Sequence, residues 1–243
     1  MPGDRSECAR NETCELPVSA AVTSVCPILS PEEDAIGAAV NTLDDIETAR
    51  GLMYRLLGQM LAQPPDAGLL ARLARLDGDP GPIGTALRDL AARAARTGLA
   101  AARTEHDALF IGVARGELLP YASYYLTGFL HERPLARLRT DLARLGFARS
   151  VGRSDPEDHI ATICEVMASL VETGSAPDQA IFFARHLEPW ASGFFYDLER
   201  AASADLYRPV GVLGGLMIDL DRQGFAFGAE RLNANTDIQR GAA

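Results

Sequence analysis

Apolar residues return at three- and four-residue steps in segment after segment of this 243-residue chain, and no segment alternates in steps of two. A period of three to four places them on one face of a helix, whereas a strand would need alternation. The first run holds Leu43, Ile46, Leu52, Met53, Leu56 and Leu57, with Thr42 as its cap and Pro64-Pro65 as its stop. Further helices are expected to begin near residues 69, 83, 99, 134, 155, 177, 189 and 204, separated by short Pro/Gly turns. Pro134 and Pro156 suit a first helical turn, with Asp155 as the cap before the latter; Gly146 and Gly174 suit helix ends. The expected fold is all-α, a globular bundle of about nine helices. No 30–45-residue repeat suggests a solenoid. The last helix is expected to run from about residue 204 to Gln223.

Both ends depart from this pattern. Residues 1–41 are rich in Ser, Pro, Asp and Glu, and read as an acidic, mostly disordered arm. Residues 42–225 form the helical domain and 226–243 a flexible tail. Residues 1–48 carry ten acids against Arg5 and Arg10, or −8 of the −10 net charge, which leaves −2 for the rest. A chain so charged is not expected to bind nucleic acid or an anionic membrane surface. No run approaches the length of a membrane span, and no secretory signal is visible, so a cytoplasmic location without membrane insertion is expected.

Enzyme templates find no match. All 23 basic residues are arginine, which removes Schiff-base and phosphate-loop lysines. There is no His-Glu-x-x-His helix and no Gly-x-Ser-x-Gly elbow. Cys8, Cys14 and Cys26 in the arm lack zinc-ligand spacing, and Cys164 falls on an apolar helical face. Gly211, Gly214 and Gly215 fit close helix packing. The alternative of an all-α metal-dependent hydrolase would need Asp158 and His159 to converge with some of His106, His131 and His186.

Two local constellations stand out. Leu119 to Gly128 places Tyr121, Ser123, Tyr124 and Tyr125 at a loop-to-helix junction; tyrosines supply apolar area and a hydrogen bond together, as peptide recognition requires. Their alternative role is ordinary core packing. Asp155-Pro156-Glu157-Asp158-His159-Ile160 reads as a helix start, with Asp155 as cap and Asp158 as a capping-box acid, a scheme that leaves His159 without a role.

These segments carry a resemblance. Glu105-His106-Asp107-Ala108-Leu109-Phe110, Gly116-Glu117-Leu118-Leu119-Pro120-Tyr121, Pro134-Leu135-Ala136-Arg137-Leu138, Asp155-Pro156-Glu157-Asp158-His159, Phe183-Ala184-Arg185-His186-Leu187-Glu188-Pro189-Trp190 and Leu206-Tyr207-Arg208-Pro209 occur in an order similar to that of the TorD/DmsD/NarJ family of redox-enzyme maturation chaperones. The match spans about Leu43 to Gln223 and is nearest the TorD type; the family usually has Glu where Asp155 stands. The resemblance implies a non-enzymatic cytoplasmic chaperone with no cofactor of its own. Its partner would be a molybdoenzyme catalytic subunit and that subunit's twin-arginine signal peptide, held until cofactor insertion is complete. Formate dehydrogenase is the first candidate client, with dimethyl sulfoxide or trimethylamine N-oxide reductase behind it. The peptide-binding residues would be Tyr121, Ser123, Tyr124, Asp155, Pro156, Asp158, His159, His186 and Trp190. Monomer and domain-swapped homodimer both stay open, with 147–154 as the hinge of a swap.

Overall fold

The helix at the centre of the molecule owes its place to an apolar run: Ile160, Ile163, Cys164, Met167 and Leu170 are all buried. A computed structural model describes residues 43–148 and 155–241. The arm with its three cysteines and most of the expected swap hinge therefore lie outside the described residues. Among those described, the chain forms ten α-helices and one π-helical turn, with no strand beyond a single bridged residue pair.

In chain order the helices are α1 (Leu43–Ala62), α2 (Ala67–Leu73), α3 (Pro82–Arg96), α4 (Leu99–His106), α5 (Ala122–Thr127), α6 (Arg133–Arg144), α7 (Ile160–Thr173), α8 (Ala176–His186), α9 (Ala191–Arg200) and α10 (Arg208–Gly241). Helix α1 packs along α7, and α10 packs on α9 and α3. Both pairings depend on glycine at the crossing. A Cβ on Gly58 would lie 3.3 Å from the Ala161 carbonyl oxygen of α7. One on Gly214 would lie 2.1 Å from a Phe195 ring carbon of α9. Burial of each large apolar side chain in this core contributes roughly 1.5–3 kcal/mol. Cys164 is fully buried, and burial pushes its thiol well above the ordinary range.

Four features differ from the sequence pattern. Helix α5 has six residues, too few to show a helical period. The expected helix from Leu99 to Phe110 changes its hydrogen-bond spacing at Asp107: Asp107–Ile111 is π-helical, closed by a 2.7 Å bond from the Gly112 N–H to the Asp107 carbonyl five residues back, with Gly112 at φ +61°. Helix α7 starts at Ile160, not at Asp155-Pro156. The last helix continues through 226–241, which the sequence pattern reads as tail. Among the described residues no helix is long and apolar enough to cross a membrane.

Candidate peptide-binding site

Helices α5 and α7 begin side by side because the residues ahead of them pair. Tyr121 and His159 form an antiparallel bridge. The Ala122 N–H donates to the Asp158 carbonyl at 2.9 Å, and the Ile160 N–H to the Pro120 carbonyl at 2.8 Å. Two helix N-termini therefore meet, each with backbone donors that need acceptors. Asp158, 1% exposed, serves α5: its Oδ2 accepts from the Ser123 N–H at 2.9 Å. His159 serves α7: its Nδ1 accepts from the Ala161 N–H at 3.1 Å.

This arrangement corrects the capping scheme expected from sequence. Asp155 does not cap α7, Asp158 caps a different helix from the one it precedes, and the residue left without a role is the cap. A signal for His159 existed only in three dimensions, since histidine is not among the preferred N-cap residues.

The structure brings Tyr121, Ser123, Asp158 and His159 into one junction. The Tyr121 and His159 rings meet edge to face, 5.1 Å apart, and both are half-buried. Burial, aided by the nearby charge of Asp155 and a hydrogen bond to it, raises the Tyr121 hydroxyl to about 12. Asp155 is exposed and Pro156 half-buried. Tyr124 lies beneath the Arg115 guanidinium, 5.7 Å from ring centre to charge. Ser123 is fully buried, and among the described residues neither its hydroxyl nor Asp158 Oδ1 has a hydrogen-bond partner.

His186 and Trp190 lie in the wall of a recess of about 510 Å³ that Ala122 and Leu126 of α5 also line. Ala122, Leu138, Ile163 and Trp190 give it apolar walls, and Leu126 and Pro134 also line it. Leu126, Phe129 and Leu130, on α5 and the turn after it, are all exposed. The Trp190 indole N–H donates to the His186 carbonyl at 2.7 Å. The polar side of the recess is Asp141. Its carboxylate accepts from His186 Nε2 at 2.8 Å and from the Arg185 guanidinium at 3.0 and 3.1 Å. Burial opposes the Asp141 charge, but these hydrogen bonds outweigh it and hold the carboxyl below its ordinary value. Burial lowers His186 below its ordinary value despite the carboxylate. An ionised Asp141 only accepts, so a neutral His186 carries its proton on Nε2.

The sequence reading missed Asp141 and Arg185. A signal for Asp141 was present: it stands on the α6 stripe of Leu135, Leu138 and Leu142, an acid where an apolar residue is expected. The histidines do not converge. His106 packs between the Phe110 and Tyr207 rings, His131 is exposed on the α5–α6 turn at φ +62°, and His159 and His186 hold the roles given above. Among the described residues, no group of three or more His, Cys, Asp or Glu side chains could hold a metal ion.

Over residues 76–196, which include every residue of this site, the sequence matches the family described as the nitrate reductase delta subunit, of NarJ/TorD type. The chain belongs to this family. It is a family of maturation chaperones rather than enzymes, whose members bind a redox-enzyme subunit. No curated protein matches the chain. Among solved structures, a candidate redox enzyme maturation protein from Archaeoglobus fulgidus has a similar fold. It is 18% identical with a TM-score of 0.50, over 75% of this chain and 97% of that one.

Proposed function

We propose that this NarJ/TorD-type chaperone binds the twin-arginine signal peptide of a molybdenum-cofactor oxidoreductase subunit in the cytoplasm and holds the subunit until its cofactor is inserted. The observation that carries this reading is the Trp190-lined recess beside exposed Leu126, Phe129 and Leu130. A signal peptide follows its arginines with an apolar stretch, and this is an apolar landing place with one enclosed anchor point. The half-buried Tyr121 and His159 rings stand at the start of α5, where Asp155 is the exposed carboxylate beside them. Ser123 and Asp158 are buried, so they act by positioning this junction rather than by touching the peptide. Arg137 and Arg185 at the recess repel the peptide's arginines and so favour an orientation with the apolar stretch at Trp190. Formate dehydrogenase is the first client to test, then dimethyl sulfoxide or trimethylamine N-oxide reductase.

Trp190 is the only tryptophan, which makes its emission a direct probe. Titration with a twin-arginine signal peptide from formate dehydrogenase should give a saturable change. Phe129→Ser with Leu130→Ser should weaken binding about tenfold or more, since each apolar side chain contributes roughly 1.5–3 kcal/mol when buried. Equal affinity for a peptide whose apolar stretch is replaced by serines would overturn the reading.

A further inference from the structure

We infer that the recess between α5, α6 and α8 is a docking groove for the chain's own acidic N-terminal segment, residues 28–40. The groove is cationic in a protein of net charge −10. Helix α6 carries Arg133, Arg137, Arg139 and Arg144 against the single acid Asp141. Arg139 pairs with Glu157, Arg144 with Asp178, and Arg185 with Asp141. Arg133 and Arg137 are exposed and have no ion-pair partner among the described residues, and Arg137 lines the recess.

The N-terminal segment has the complementary chemistry. It reads Ile28-Leu29-Ser30-Pro31-Glu32-Glu33-Asp34-Ala35-Ile36, then small apolar residues to Val40, with no basic residue. Connectivity permits the match. Helix α1 starts at Leu43, and Arg50 in its second turn hydrogen-bonds Gln179 on α8. Arg144, the last residue of α6, pairs with Asp178 on the same helix at 3.4 Å. Arg50 of α1 and the C-terminal end of α6 therefore meet neighbouring residues of α8. Twelve helical residues rise about 18 Å, and ten extended ones reach about 33 Å. Running back along α6, the segment brings Ile36 to the recess and Glu32, Glu33 and Asp34 to Arg137 and Arg133.

A client's arginines meet repulsion at this surface, whereas the acidic segment meets attraction. Docking stands without the client reading; competition between segment and client rests on it. The test contains no client, so the two fail separately.

The experiment uses the full chain with Cys8→Ser and Cys14→Ser, and a dansyl-type acceptor on Cys26; Cys164 is buried and does not react. Energy transfer from Trp190 to the label reads docking. Transfer should be strong at low salt and fall at least twofold in 0.5 M NaCl. It should fall equally in Arg133→Glu/Arg137→Glu, and recover when Glu32, Glu33 and Asp34 are also changed to Arg. Exposed arginines are the sites changed, and circular dichroism checks that helicity is kept. Transfer that ignores the arginine reversals overturns the proposal. So does transfer that rises with protein concentration, which would place the segment on a second copy.

Discussion

Asp158 Oδ2 lies 2.9 Å from the backbone nitrogen of Ser123, so the carboxylate caps α5 from the segment that leads into α7. A six-residue helix has little cooperativity of its own, and its first turn carries the positive end of its dipole. A buried anion there fixes where α5 begins and thus where Tyr121 and Leu126 stand. Among the described residues the second oxygen and the Ser123 hydroxyl have no hydrogen-bond partner, so the cost of burying Asp158 is offset by one backbone bond and the local dipole.

Replacing the two residues should therefore have opposite consequences. Asp158→Ala leaves the Ser123 N–H buried and unpaired, a loss of about 1–3 kcal/mol. Ser123→Ala removes a hydroxyl with no partner among the described residues and should be neutral or slightly stabilising. Urea unfolding of both variants checks this, and equal losses would mean that the hydroxyl has a partner after all.

His159 has two roles that one substitution mixes and another separates. His159→Ala loses the α7 cap, at about 0.5–2 kcal/mol, together with the ring against Tyr121. Asn is among the best N-cap residues, so His159→Asn should melt close to the parent while still lacking the ring. If the ring forms part of the peptide face, signal-peptide affinity falls in both variants and the melting temperature in only one. Parental affinity in His159→Asn would restrict the histidine to capping.

The helices were legible because burial writes its period into the sequence: the Leu52–Leu61 run and the Leu135–Leu138–Leu142 stripe could only be helical faces. Helix α5 was legible only as a helix start at the tyrosines, since six residues complete fewer than two turns and show no period. Asp158 and His159 stood out as residues but not as caps of different helices, because that assignment depends on the Tyr121–His159 bridge, a contact between segments 38 positions apart. Asp141 shows the reverse case. Its place on an apolar stripe was readable, and only its partners, on α8, were hidden.

His106 makes stability depend on pH. It is 4% exposed, Asp107 Oδ1 is 3.8 Å from its Nδ1, and neither ring nitrogen has a hydrogen-bond partner among the described residues. Burial lowers its pKa below the ordinary 6.5, against a smaller opposing pull from Asp107. The unfolded chain then binds this proton more readily, so stability is present above pH 6.5 and is lost as pH falls through the lowered folded value. The slope is at most about 1.4 kcal/mol per pH unit for one proton. Urea melts at pH 7.5 and 5.5 should show a smaller pH difference in His106→Phe than in the parent; an unchanged difference would place the dependence elsewhere.

Asp141 should govern the titration of His186. Burial disfavours the imidazolium, while the carboxylate 2.8 Å from Nε2 favours it, and burial wins in the native protein. Asp141→Asn keeps an oxygen that can accept the Nε2 proton but removes the charge, leaving burial less opposed. The His186 ring should then titrate at lower pH than in the parent, as read by NMR of its ring protons. Loss of the charge also frees Arg185, 60% exposed at its side chain, from its partner. The groove becomes more cationic, so an arginine-bearing peptide should bind less tightly in Asp141→Asn, with the difference shrinking at high salt as screening shortens. Asp141→Ala differs in removing the acceptor too: a buried Nε2–H without a partner costs about 1–3 kcal/mol of stability. A His186 titration that rises or stays put in Asp141→Asn would show that the carboxylate does not hold the imidazole, and the polar wall of the recess would need another account.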